Sequence, residues 1–190
     1  MNKVLVETSA RHIHLTREAV DALFGAGYEL TKKKDLSQPG QYACAEKVEV
    51  IGPKGSLMMS ILGPTRPESQ VEVSFTDARA LGITAPVRES GDVAGTPGIT
   101  LKVGENTYEM KEGVIVAKRH IHLTPEAAAE FGVADKQIVR VRISGTGRTT
   151  VFDDVVIRVK SSFAPAMHID TDECNAAAAF GQIEGEILVD

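Results

Sequence analysis

Apolar and polar residues alternate along this chain in short runs closed by glycine and proline, the pattern of half-buried strands and tight turns. Strands are predicted at Lys3–Glu7, Lys47–Ile51, Ser56–Leu62, Gln70–Phe75, Ile99–Val103, Thr107–Met110 and Val114–Ala117. Further on they are predicted at Gln137–Ile143, Thr149–Val159, Ala166–Asp170 and Glu186–Val189. Helices are few and short. Arg17–Phe24 follows a capping Thr16 and stops at Gly25 and Gly27, and a second stretch opens with Thr124-Pro125 and stops at Gly132. Asp77–Leu81 and Glu173–Phe180 complete the helical set, while Lys32–Tyr42 and Val87–Gly98 read as loops. Many short strands with glycine and proline turns predict a mostly β protein with short capping helices.

The pattern repeats. Arg-His-Ile-His-Leu-Thr stands at residues 11–16 and again at 119–124, and holds four of the five histidines. Each copy leads into a helix, then strands, then a strand followed by a short helix. A duplicated ancestor and two related β-rich pseudo-repeat domains, small barrels or sandwiches, follow from this order, with the two motifs expected to form the walls of one metal site. In extended chain the residues two apart share a face. His12 therefore pairs with His14, and His120 with His122, while Ile13 and Ile121 turn the other way. Arg11 and Arg119 would also point away, which suits a structural role.

The repeat supplies a third member for each pair. Val71-Glu72-Val73-Ser74-Phe75-Thr76-Asp77 aligns with Met167-His168-Ile169-Asp170-Thr171-Asp172-Glu173, so Glu72 and His168 take equivalent places. Two donor sets result: His12, His14 and Glu72; and His120, His122 and His168. Three nitrogen or oxygen donors with an open position describe a catalytic zinc site. Paired strand histidines can also simply hydrogen-bond in a core, but the duplication and the third donor favour two metal ions, zinc first, with cobalt, nickel or manganese as alternatives.

Composition narrows the setting. The 190 residues carry a net charge of −5, which argues against a nucleic-acid binder. Lys32–Lys34 is the one basic run, read as a solvated loop rather than a phosphate patch. Cys44 and Cys174 lack a CxxC spacing and read as small buried hydrophobes. No apolar run approaches a membrane span and no signal peptide opens the sequence, so a cytoplasmic protein without membrane partners is expected. Arg66, stiffened by Pro64 and Pro67, suits an anion beside a metal better than a surface ion pair; for Arg158 the two readings balance. Ser90 lacks a nucleophile turn and reads as a polar contact. These residues alone leave open a di-zinc hydrolase such as an acyl-CoA thioesterase, a non-catalytic metal-binding module, and a mononuclear oxygenase.

The two RHIHLT motifs, the segment Gly63-Pro64-Thr65-Arg66-Pro67-Glu68-Ser69-Gln70-Val71-Glu72-Val73-Ser74 and the late Met167-His168-Ile169-Asp170 resemble the PduL-type phosphotransacylase, or phosphate propanoyltransferase, family over nearly the whole chain. The resemblance implies two β-barrels, one of residues 1–10 plus 118–190 and the other of 11–117. It implies reversible conversion of a short-chain acyl-CoA and phosphate into acyl phosphate and CoA at a di-zinc site held by the six donors. Phosphate binding falls to Arg66; Gln38, Gln41, Gln70, Ser90 and Arg158 match other active-site positions; Thr8, Ser9, Ala10 and Asn175 match CoA contacts. A homodimer suits a CoA enzyme of this size. The family also suggests the lumen of a bacterial microcompartment, although the core here begins without an amphipathic encapsulation helix.

Overall fold

The computed structural model describes residues 2–188, and counts below refer to these; the end of the predicted strand Glu186–Val189 lies outside them. The chain opens with β1 (Lys3–Thr8), β2 (His12–His14) and α1 (Arg17–Phe24), followed by β3 (Lys32–Asp35), β4 (Tyr42–Ile51), β5 (Ser56–Gly63) and β6 (Gln70–Glu72). Then come α2 (Phe75–Leu81), β7 (Val87–Arg88), β8 (Ile99–Val103), β9 (Asn106–Met110) and β10 (Val114–Ala117). The second motif opens β11 (His120–Leu123), α3 (Pro125–Phe131), β12 (Ile138–Ile143), β13 (Thr150–Val159), β14 (Ala166–Ile169), α4 (Thr171–Ala177) and β15 (Ile183–Leu188).

Two compact units divide these elements. One comprises Met1–Ser9, Ser37–Pro39 and Lys118–Asp190, and its strands close a six-stranded barrel in the order β1-β14-β11-β13-β12-β15. The other comprises Ala10–Leu36 and Gly40–Ala117. Its strands run β7-β10-β6-β2-β5-β4-β8-β9, with β3 on the outer side of β4, and curl into a half-barrel. The architecture is mostly β with short helices, as the alternation predicts. No helix is long and apolar enough to cross a membrane.

Alternation in the two motifs decides what each unit buries. Ile13 and Leu15 are fully buried in the half-barrel core, and Ile121 and Leu123 in the barrel core. The histidines between them face the other way, so burying the isoleucine aims the histidine pair. Ile121→Ala is therefore expected to cost about 2–5 kcal/mol in a urea-unfolding titration, since it empties a closed site between sheet and helix.

The helices start where a side chain can satisfy their first amides. Thr16 accepts from the Ala19 amide and Thr124 from the Ala127 amide. α2 and α4 both open with a capping box, Ser74 with Asp77 and Asp170 with Glu173. These boxes correct two expectations. The strand predicted at Gln70–Phe75 ends at Glu72, because Ser74 is already a helix cap. The helix predicted at Glu173–Phe180 begins two residues earlier and ends at Ala177, where Ala178 turns left-handed with φ 49°. The two predicted loops each hold a short strand. β3 pairs with β4, its lysines exposed on an edge where their charge discourages further pairing, and β7 pairs with β10. Both cysteines are buried and unpaired, and burial, first of all, pushes the Cys44 thiol up to about 11.

Candidate metal centres and a neighbouring arginine

In the half-barrel, β2 lies between β5, parallel to it, and β6, antiparallel to it. The β6 register sets His12 directly opposite Glu72 and His14 opposite Gln70. The His12 Nδ1–H donates to the Ala10 carbonyl at 2.9 Å, and the His14 Nδ1–H to the Leu62 carbonyl at 3.2 Å. A carbonyl can only accept, so each Nδ1 carries a proton, and Nε2 of neutral His14 is left with a bare lone pair. The two Nε2 atoms face each other across 3.2 Å. Glu72 closes the set, its Oε2 3.5 Å from His12 Nε2 and its Oε1 4.0 Å from His14 Nε2. Three ligand-type side chains, all buried, converge here, and a shared cation, a proton or a metal ion, holds their electron pairs together.

Burial works to raise the Glu72 carboxyl, but the His12 charge and hydrogen bond, then the His14 charge and a hydrogen bond from Ser90, hold it far below its usual range. Burial works to lower His12, but the Glu72 charge beside it prevails and raises it. His14 is pushed down to about 3 by burial, then by the positive charges of His12 and Arg66. It is thus neutral and ready to coordinate at neutral pH.

A hydrogen-bonded shell fixes Glu72. The Gln70 amide donates to Glu72 Oε1 at 2.6 Å and to Ser90 Oγ at 2.9 Å, while the Ser90 hydroxyl donates to the same Oε1 at 3.0 Å. Gln70 Oε1 is itself held by the Gly91 amide at 2.7 Å. With Oε1 doubly occupied, Oε2 is the freer oxygen toward His12. Arg66 joins through Nη1, 3.3 Å from Ser90 Oγ, and its backbone amide donates to the Leu15 carbonyl at 2.9 Å. Its loop begins at Gly63, where any β-carbon would lie 2.4 Å from the Tyr42 ring, so only glycine fits.

The barrel repeats the arrangement. β11 lies between β13, parallel, and β14, antiparallel, and the register sets His120 opposite His168. Glu72 and His168 hold equivalent places. The His120 Nδ1–H donates to the Lys118 carbonyl at 2.8 Å, two residues back, as His12 does to Ala10. The three rings gather with centroids 4.7–5.3 Å apart. Nδ1 of His122 is buried with no hydrogen-bond partner among the described residues. Burial, then the neighbouring charges of His120, His168 and Arg158, drives the His122 pKa down. In both sets the candidate ligand atoms lie within 4.8 Å of one another. The chemistry of both sets therefore fits a divalent metal.

The motif arginines have duplicated partners too. Arg11 Nη1 donates to Asp77 Oδ1 at 2.7 Å, and Arg119 Nη1 to Glu173 Oε1 at 2.7 Å. Asp77 and Glu173 are the third helical residues of α2 and α4, bonded through their capping boxes to Ser74 and Asp170. Each arginine thus ties a histidine strand to the strand end that carries the third donor. Arg119 is held further by the Asp153 carbonyl at 2.6 Å and lies over the Phe152 ring.

A family model described as phosphate propanoyltransferase matches residues 5–180. The chain belongs to the phosphate propanoyltransferase family. It is 56% identical over 188 residues to a phosphate propanoyltransferase of Enterococcus faecalis, covering 98% of this chain and 89% of that one. A relative of the same name from Listeria monocytogenes is 56% identical over 186 residues, covering 97% and 87%. One from Thermotoga maritima is 54% identical over 176 residues, covering 92% and 83%.

Against this family setting, the remaining positions divide by location. Arg66, Gln70 and Ser90 converge on Glu72, and Arg158 pairs with His122 across β11 and β13. Thr8 pairs with Ile169, next to His168, and the Ser9 amide donates to the Ile169 carbonyl at 2.7 Å. The Ala10 carbonyl orients His12. Gln38 is buried with its amide bonded to the Ala164 backbone. Gln41 is tied to Leu36 through its backbone, and Asn175 is exposed on α4. Sequence reasoning missed Glu7, Ser37 and Phe163. Glu7 faces His168 at 3.8 Å, Ser37 donates to Glu7, and the Phe163 ring lies 4.2 Å from that of His122. None of the three lies in either copy of the repeat, so the repeat could not reveal them.

Proposed function

We propose that this protein interconverts a short-chain acyl-CoA plus phosphate with acyl phosphate plus CoA, propanoyl-CoA being the first substrate to test and acetyl-CoA the second. Family membership across residues 5–180 carries this reading. The two donor sets, three histidines in one and two with Glu72 in the other, are assigned to two zinc ions. When bound, zinc would polarise the thioester carbonyl and offset phosphate charge.

The chain's own residues do the rest. The Arg66 guanidinium holds phosphate by charge-assisted hydrogen bonds, and Ser90 sets its direction. Gln70 and Ser90 keep Glu72 oriented, so that His12, His14 and Glu72 present a fixed geometry. Arg158 places a further positive charge beside His122, on the side of the three-histidine set. Thr8, Ser9, Ala10 and Asn175 are assigned to CoA. A phosphate oxygen attacks the carbonyl carbon, the carbon–sulfur bond breaks, and CoA leaves as thiolate, a group stable enough to need no strong general acid. Positioning two anions together supplies much of the rate, and no covalent enzyme intermediate is needed.

Following free thiol from propanoyl-CoA with and without phosphate tests the reading. Thiol release should require phosphate and yield one acyl phosphate per CoA. Equal release without phosphate would make the protein a thioesterase and overturn the assignment.

A further inference from the structure

Three of the candidate histidine ligands, His12, His14 and His120, donate from Nδ1 to backbone carbonyls. His168 is different: its Nδ1 lies 3.8 Å from Oε2 of Glu7. The parallel pairing of β1 with β14 sets Glu7 opposite His168, so both side chains leave the sheet on one face. The Ser37 hydroxyl donates to that same Glu7 oxygen. Ser37 belongs to a three-residue segment, Ser37–Pro39, that groups with the barrel although the chain on either side of it belongs to the half-barrel.

The same segment has a second arm. Gln38, only 4% exposed, donates from Nε2 to the Ala164 carbonyl at 2.9 Å and accepts from the Ala164 amide at 3.2 Å. Ala164 follows Phe163, whose ring lies 4.2 Å from that of His122. Two adjacent residues thus reach two of the three histidines, one through a carboxylate and one through an aromatic ring.

We propose that Glu7 is the outer carboxylate of the three-histidine set, and that Ser37 and Gln38 are positioning residues for it, orienting His168 through Glu7 and holding Phe163 against His122. The inference rests on reading that set as a metal site. Its physical basis is charge and orientation. A carboxylate behind a ligating imidazole fixes the ring and its tautomer and strengthens the other nitrogen as a donor. The set containing Glu72 has a carboxylate among its donors, whereas the other consists of three imidazoles with Arg158 adjacent. Glu7 gives that second set its negative charge from one shell further out.

The test uses the full chain, stripped by chelator and reloaded with cobalt(II), with binding followed by competition and by the visible absorption of each site. Glu7→Gln should weaken the three-histidine set about 10–100-fold and alter only its cobalt bands, leaving the Glu72 set at wild-type affinity. A His14→Ala background, in which only the three-histidine set keeps all its donors, should show the same loss. Glu7→Asp should recover part of it, and Ser37→Ala should shift the same bands in the same direction by less. Wild-type affinity and bands at both sites in Glu7→Gln would overturn the proposal. So would equal weakening of both sites, the mark of a general structural effect. If Glu7→Gln does not fold, Ser37→Ala decides by the same bands. A wild-type chain that takes up no metal would instead defeat the underlying metal reading.

Discussion

His14→Ala is expected to lower phosphate-dependent CoA release about 1,000-fold or more and to remove one of two bound metal equivalents. The magnitude follows from losing several kcal/mol of charge stabilisation, at about 1.4 kcal/mol per tenfold in rate. His14 is 2% exposed, and its depressed pKa of about 3 makes it a neutral donor, so no proton has to leave before it coordinates. Removing it leaves His12 and Glu72, too few to hold a catalytic zinc well. The fold should survive, because Ile13 and Leu15 anchor the strand independently. The Leu62 carbonyl loses its donor, which costs about 1–3 kcal/mol. Metal content, thermal unfolding and rate, measured on one preparation, separate these effects. His122→Ala should remove the other equivalent. Full activity after exhaustive chelation would refute the role given to both sets.

Much of this was legible before any coordinates because the motif is duplicated. Alternation showed that Ile13 and Ile121 would turn to the core and the histidines away from it, and the register pairs His12 with Glu72 as it pairs His120 with His168. The helix behind each motif was legible from its threonine cap and terminal glycine. Where the reading slipped, the cause was local competition. Val71, Val73 and Phe75 alternate like a strand, yet Ser74 and Asp77 form a capping box, and the box decides. The alanines at 176–179 favour helix, but the chain leaves it at Ala178, where the Ala179 amide turns back to the Cys174 carbonyl.

The outer shell was far less legible, because its residues lie apart in sequence and have no counterpart in the repeat. Glu7 is one acid at the end of an alternating strand, and only the β1–β14 pairing brings it to His168. Gln38, matched to an active-site position by the family resemblance alone, is buried in the folded chain with both ends of its amide bound to one backbone residue. Residue type marked these positions as polar; which partner each would meet depends on long-range strand order.

Arg66→Ala is the second large effect expected. The phosphate concentration for half-maximal rate should rise and the limiting rate fall, together reducing the phosphate term of catalysis about 100–1,000-fold, the usual loss when a preorganised donor to developing charge is removed. The dependence on acyl-CoA should change little. The reasoning is positional as well as electrostatic. In a chain of net charge −5, bound phosphate needs a local cation. Arg66 is half-buried, its backbone is fixed to Leu15, and its guanidinium is aimed by Ser90 at the hydrogen-bonded shell of Glu72. Its positive charge is felt at both, opposing the rise of His12 and adding to the fall of His14, so an anion held by Arg66 sits within reach of that donor set. Initial rates over a phosphate series at saturating propanoyl-CoA give the result, and an unchanged phosphate dependence would refute the assignment. Arg66→Lys sharpens it further. Lysine keeps the charge but loses the planar fork that grips two oxygens at once. Partial recovery would show that orientation of the attacking oxygen matters beyond its attraction. Complete recovery would show that charge alone holds the phosphate, leaving its alignment to the metal sites.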